Sequence, residues 1–82
     1  MNTGLLWYDD DKKRPVTEKV ERAVNYYFTK LGHIPTECHV HPTLAAGAAA
    51  YVFGCRMVAD RTIMVNHFWL GVGAAESEKV KA

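Results

Sequence analysis

Three consecutive aspartates, Asp9, Asp10 and Asp11, are the first residues in the chain whose type and spacing suggest chemistry. They directly follow the apolar run Gly4 to Tyr8, which has the composition of a β-strand. Ligand sites in open α/β sheets lie beyond the carboxyl ends of strands, and carboxylate oxygens suit Mg²⁺. The triplet is therefore a candidate metal or phosphoryl site. In the alternative interpretation it is a solvated loop, in which one carboxylate caps the next helix and the cations at 12 to 14 balance the charge.

His39 and His41 form a second candidate group, because they lie two residues apart in a predicted strand. Side chains at that spacing point to the same face of a sheet, where His67 from a later strand could join them. Three imidazoles are a known zinc ligand set. Histidines on a sheet face more often stack or hydrogen-bond, and neither CxxC nor HxxxH spacing is present, so we expect no bound metal or cofactor.

The two cysteines, Cys38 and Cys55, are the candidates for a thiol nucleophile. Such a thiol needs an exposed, electropositive setting with an imidazole in reach, whereas cysteines in strands are usually small core residues. A small secreted domain held together by disulfides usually carries more than two cysteines. We therefore expect free thiols, a cytoplasmic protein and no thiol catalysis.

Aromatic residues are candidates for stacking on single-stranded nucleic acid, with Trp7 or Tyr8 beside His67 and Trp69. Arg56 and Arg61 could aid this binding. The chain holds 10 Lys and Arg against 9 Asp and Glu, and its net charge of +1 is far below the basic excess typical of phosphate binding. Aromatic residues in a small protein lie mostly in the core or in an interface. Nucleic-acid binding is therefore the less favoured interpretation of these residues.

The elements that must position these residues begin with one long helix. Apolar residues recur at helical spacing from Val16 to Leu31, and Pro15 suits the first helical position. Gly32 supplies the stop. The pattern predicts a helix from Pro15 to Leu31 that buries Val20, Val24, Phe28 and Leu31.

Strands are predicted at Gly4 to Tyr8, Glu37 to His41 and Tyr51 to Val58, the last interrupted by Gly54 as a bulge or as the true strand start. Residues 63–72 form one strand bent at Asn66 or two short ones, and residues 43–50 form a short helical turn or a loose connection. Because both faces of the first strand are apolar, we expect it near the centre of the sheet, parallel to a neighbour. The fold class is α+β, in two layers with the order β-α-β-β-β, one long helix packing on a small mixed sheet.

Three segments carry a resemblance to known proteins: Leu6 to Asp11, then Tyr27, Lys30, Gly32, Pro35, Cys38, Val40 and Pro42, and finally Asn66 to Val72. With its Trp-Tyr-Asp-Asp-Asp and Asn-His-Phe-Trp-Leu-Gly segments, the chain resembles a small bacterial family of α/β proteins that has no assigned activity. It departs from that family at Val65, where a proline tends to stand. The resemblance implies a discrete domain and assigns no role to any residue.

The chain of 82 residues, 49% hydrophobic and 23% charged, has room for one domain, expected at residues 1–73, with a flexible tail at 74–82. No apolar run is long enough for a membrane span, and the first residues lack the basic flank of a signal peptide. We therefore expect no membrane association.

One helix covers only one face of a sheet, so the other face keeps bulky apolar side chains, which two-fold pairing commonly covers. The sequence thus predicts a self-associating interaction module or accessory subunit without catalysis, a homodimer joined through that face. Another protein partner is an alternative, as is a metal-binding protein or metal-dependent enzyme using the acidic triplet or the histidines. The candidate interface residues are Trp7, Tyr8, His39, His41, His67 and Trp69.

Overall fold

The computed structural model describes residues 4–73, and it contains one long helix on a five-stranded mixed sheet. This confirms the predicted α+β architecture. The predicted tail at 74–82 lies outside the described residues. In chain order the elements are β1 (Gly4–Tyr8), α1 (Val16–Leu31), β2 (Glu37–Val40), α2 (Pro42–Ala45), β3 (Tyr51–Val52), β4 (Cys55–Ala59) and β5 (His67–Gly71).

The sheet has the strand order β1-β5-β2-β4-β3. Strand β5 runs antiparallel to both β1 and β2, and β2 runs parallel to β4. The prediction of a central β1 parallel to its neighbour is wrong, because β1 lies at an edge and pairs antiparallel with β5. An apolar run does not by itself require burial on both faces: Leu6 and Tyr8 remain 59% and 57% exposed.

Helix α1 begins after Pro15 and ends at Gly32, whose N–H donates to the carbonyl oxygen of Phe28. The prediction that Phe28 is buried is wrong, since it is 51% exposed and Tyr27 is fully buried in its place. Residues at i, i+4 and i+7 from Val20 already fill the narrow contact with the sheet, so the position at i+8 falls outside it. The buried helix residues are Lys19, Val20, Ala23, Val24 and Tyr27, and Leu31 packs against the core while partly buried.

The core lies between α1 and one face of the sheet, and alternation along the strands decides which residues enter it. Cys38 and Val40 of β2 and Phe68 and Leu70 of β5 are fully buried on this face. Among residues 4–73, no helix has the length and apolar character needed to cross a membrane.

Two turns explain the boundaries that the sequence left open. Phe53 and Gly54 have φ of 49° and 79° and connect β3 to β4 as a two-residue hairpin, so Gly54 is neither a bulge nor a strand start. Asn66, with φ of 70°, ends a turn just before β5. Both predicted arrangements of residues 63–72 are therefore wrong, because the segment holds one strand that begins at His67 and residues 63–66 are not in a strand. Residues 43–50 combine the end of α2 with turns.

Candidate functional site on the open face of the sheet

The candidate site lies on the sheet face that α1 leaves uncovered, which we call the open face. Because Phe68 and Leu70 point toward α1, Trp69 of β5 points to the open face. The strand register places Leu6 beside Trp69. The same register places Tyr8 beside His67, with ring centroids 4.8 Å apart. Two neighbouring strands therefore present aromatic and aliphatic groups side by side.

The Trp69 indole lies directly against the backbone of two glycines. A Cβ at Gly4 would lie 2.1 Å from Cζ2 of Trp69, and a Cβ at Gly71 would lie 2.2 Å from Cη2. No side chain fits at either position while the ring stays in place. The ring also meets His39 edge-on, with centroids 5.2 Å apart. The Trp69 ring therefore packs with one face on the sheet backbone and also contacts the imidazole of His39.

A pocket of about 320 Å³ opens beside Trp69. It is lined by Leu6, Thr62, Ile63, Met64, His67 and Trp69. Met64 stands at its rim and is 70% exposed. Since most of these groups are apolar, the pocket suits an apolar side chain better than a charged one. We call Leu6 and Tyr8, together with this pocket, the apolar surface.

The polar half of the open face centres on His39, which lies between two carboxylates. Nδ1 of His39 is 2.9 Å from Oδ2 of Asp60, and Nε2 is 2.9 Å from Oε1 of Glu37. A carboxylate only accepts hydrogen bonds, so both bonds form together when the imidazole carries both protons. Arg56 donates to the other oxygen of Glu37 at 2.6 Å. We call these four residues the His39 cluster.

The pKa values of both carboxylates in the His39 cluster are lowered. The hydrogen bond from His39 lowers the pKa of Glu37 and, with Arg56, outweighs the effect of burial. The hydroxyl of Thr62 and then His39 lower the pKa of Asp60 to about 2. Two ionised carboxylates therefore face the Arg56 guanidinium and the His39 imidazole. Through Thr62 it also fixes the loop that lines the pocket.

The acidic triplet forms a loop whose carboxylates all have partners, and Arg14 pairs with both Asp9 and Asp11. Buried Asp9 accepts two hydrogen bonds from Arg14, at 3.2 and 3.0 Å, and one from the N–H of Asp11. Burial raises the pKa of Asp9, but these bonds outweigh it and lower the pKa overall. Asp10 accepts from the Tyr8 hydroxyl. Within residues 4–73, no group of three or more His, Cys, Asp or Glu is placed to hold a metal ion.

The pairing with Arg14 agrees with the charge balance expected in the solvated-loop interpretation of the triplet, but that interpretation needs two corrections, the first being that Asp9 is buried. The expected carboxylate cap on the helix is absent, because Pro15 occupies the N-cap of α1 and receives no side-chain hydrogen bond. Arg14 instead joins Asp9 to Glu18 in the first turn of α1, at 3.3 Å from the glutamate. The triplet is therefore tied to the helix through a cation.

The other candidate residues are spread over different parts of the fold. Nδ1 of His41 accepts from the N–H of Thr43 and so caps α2, while Nδ1 of His67 bonds to the carbonyl of Val65. Trp7 points toward α1, where its ring lies 5.2 Å from that of Tyr26. Of the six predicted interface residues, Tyr8, His39, His67 and Trp69 therefore share the open face, Trp7 lies on the opposite face, and His41 follows β2 as the N-cap of α2.

Both cysteines are free and buried. Burial raises the pKa of Cys38 to about 12 and that of Cys55 to about 11. The thiols therefore remain protonated at neutral pH, and the sulfur of Cys55 donates to the carbonyl of Pro35. They are core residues rather than nucleophiles.

Glu37 and Asp60 belong to the site but were not among the candidate residues, whereas Arg56 was a candidate for nucleic-acid binding and instead pairs with Glu37. One signal was present in the sequence: Glu37 and His39 lie two apart in a strand, which places a carboxylate and an imidazole on one face. The contribution of Asp60 depends on a contact 21 residues away along the chain, which no local pattern contains.

Comparison of the chain with protein-family models, with curated proteins and with solved structures finds no match. The resemblance to the small bacterial family therefore stays a prediction.

Proposed function

We propose that this protein is a small interaction module that works as a homodimer, in which a second copy contacts the part of the apolar surface that β1 contributes. The observation that carries this proposal is the exposure of that surface. Leu6, Tyr8 and Met64 are each more than half exposed, and they lie together next to a pocket with apolar walls. Monomeric proteins rarely leave a contiguous apolar patch in water.

The charges on the open face favour a protein partner over a nucleic acid. Glu37 and Asp60 lie on this face beside Trp69, and both are ionised at neutral pH. Arg56 forms an ion pair with Glu37. A base stacked on Trp69 would bring its phosphates close to two carboxylates, which opposes binding.

A second copy is the partner best supported by charge and size. With a net charge of +1, two chains do not repel each other appreciably. An 82-residue chain builds a small core, and association adds buried apolar area that the monomer lacks. Closed two-fold dimers are the commonest assemblies of soluble proteins.

A metal-dependent activity has less support. Within the described part of the chain, the carboxylates of the acidic triplet and the histidines each have their own hydrogen-bond partners. The cysteines are buried and protonated. We therefore propose binding rather than catalysis.

Light scattering after size exclusion, at micromolar protein and neutral pH, tests the homodimer. We expect a particle of twice the monomer mass of 9.2 kDa. Leu6→Glu places a charge at the apolar surface and should shift the mass toward the monomer. Phe28→Glu is the matched control, because Phe28 is equally exposed but lies on α1. A parent protein that stays at 9.2 kDa over this concentration range contradicts the proposal.

A further inference from the structure

We infer that the two copies join edge to edge through β1, so that their two five-stranded sheets become one continuous sheet. This inference rests on the homodimer proposed above and specifies its contact. It starts from the position of β1, which lies at one end of the strand order and pairs only with β5 among the described residues.

The hydrogen-bonding groups on the free edge of β1 are identified by one bond. The N–H of Asp9 donates to the carbonyl of Asn66, just before β5, at 2.9 Å. Backbone groups of successive strand residues point to alternate sides, so Leu5 and Trp7 also face β5. The N–H and C=O groups of the remaining β1 residues, Gly4, Leu6 and Tyr8, therefore point away from the sheet.

Among the described residues, nothing in the sequence or pairing of β1 protects this edge from pairing. Proteins block exposed edges with proline, with lysine, with bulges or with very short strands. The sequence of β1 is Gly-Leu-Leu-Trp-Tyr, and its pairing with β5 is unbroken over all five residues. At the opposite end of the sheet, β3 has only two residues. The apolar, regular edge is thus the one suited to pairing.

The edge is complementary to itself in one antiparallel register. A two-fold axis through Leu6 places Leu6 opposite its own copy, Gly4 opposite Tyr8, and Leu5 opposite Trp7. Every outward-facing residue of β1 then has a hydrogen-bonded partner. A shift of the axis by one residue leaves part of the edge unpaired.

Side-chain sizes fit the same register. On the open face, the exposed Tyr8 ring of one copy lies beside Gly4 of the other, where it reaches the Trp69 indole that covers this glycine. Aromatic groups opposite glycine stabilise sheets in this way. The two Leu6 side chains meet at the centre, so the exposed apolar groups of β1 become contacts.

The charges next to β1 do not oppose this pairing. In this register the two Asp9 residues lie six residue steps apart, which is about 20 Å at roughly 3.4 Å per step. That distance exceeds twice the screening length of about 8 Å at physiological salt. Each Asp9 is also paired with its own Arg14.

Leu6→Pro tests the edge contact. It removes an outward N–H, keeps an apolar side chain and leaves the β1–β5 hydrogen bonds in place, as proline on an edge strand can. We expect the dissociation constant of the dimer to be at least tenfold higher than in the parent. Met64→Glu, at the pocket rim outside β1, is the matched control and should keep the dimer. Circular dichroism reports whether each variant is folded.

The outcomes separate this inference from the homodimer itself. A monomeric parent overturns both. If the parent is a dimer, Met64→Glu dissociates it and folded Leu6→Pro leaves it intact, then only the edge contact is overturned. In that case the open faces would pack on each other.

A cross-linking variant keeps the inference testable if Leu6→Pro fails to fold. Hydrogen-bonded partners in antiparallel strands have Cα atoms about 5.5 Å apart, so Leu6→Cys places two thiols within reach of a short thiol cross-linker. We expect covalent dimers from Leu6→Cys and few from Met64→Cys. The native cysteines are buried and should not react. The reverse pattern contradicts the edge contact.

Discussion

Replacing Gly71 with alanine is expected to drive the Trp69 indole off the sheet. The added Cβ would lie 2.2 Å from Cη2 of Trp69 and 2.7 Å from Cζ3. Because nonbonded carbons settle at about 3.5 to 4.0 Å, the ring must move by at least ~1 Å. It also lies against Gly4, so it must lift away from the backbone into the open face.

The magnitude follows from three effects of different sign. Overpacking costs about 1 to 3 kcal/mol. Losing the edge contact of Trp69 with His39 adds about 0.5 to 1.5 kcal/mol. Replacing glycine with alanine in a strand also raises the free energy of unfolding by about 0.5 to 1 kcal/mol, because the unfolded chain has less conformational freedom, and this offsets part of the loss. The free energy of unfolding should therefore fall by about 2 kcal/mol.

Urea unfolding followed by circular dichroism, at one fixed protein concentration, measures this change. A second background isolates the cause: in a Trp69→Leu protein the clash is absent, so Gly71→Ala should there be neutral or slightly stabilising. The two effects should differ by about 2 kcal/mol as a coupling energy. If Gly71→Ala lowers stability equally in both backgrounds, or leaves the parent unchanged, the described packing of Trp69 is wrong.

Three further outcomes are expected. Val24→Asp buries a charge without a partner and should lower the free energy of unfolding by about 3 kcal/mol or more. Phe28→Asp, on the exposed side of α1, should lower it by less than about 1 kcal/mol. Equal melting temperatures of the two variants would contradict the helix orientation. The pKa of Asp60 is lowered to about 2 from an ordinary 3.8, so its ionised form stabilises the fold above pH 4 and this contribution should disappear as the pH falls toward 2. In urea unfolding across that range, the stability of Asp60→Asn should depend less on pH than that of the parent. Cys38 and Cys55 should resist a thiol reagent in native buffer and react once urea unfolds the chain, and rapid labelling without urea would show that they are accessible.

The long helix could be predicted because its signal is local. Apolar spacing, Pro15 and Gly32 define its limits within about one residue. The error at Phe28 has a geometric reason: periodicity gives a stripe, but the width of the contact depends on the sheet beneath it.

The position of β1 and the His39 cluster could not be predicted, because both depend on residues distant in sequence. A strand that is covered on its second face by a helix has the same apolar sequence pattern as one that is covered there by another molecule. His39 gains its second carboxylate only because β4 lies parallel to β2, so that Asp60, the residue after β4, reaches the imidazole. In the hairpin before β4, Phe53 has a positive φ, which its residue type does not predict.

Hydrogen exchange at individual amides of β1 tests the central claim most directly. The N–H groups of Leu6 and Tyr8 point to the free edge, while that of Trp7 points to β5 and serves as the internal control. The edge-to-edge homodimer predicts that Leu6 and Tyr8 are protected at high protein concentration and lose protection on dilution, with Trp7 protected throughout. Fast exchange of Leu6 and Tyr8 at every concentration, beside a protected Trp7, would contradict it.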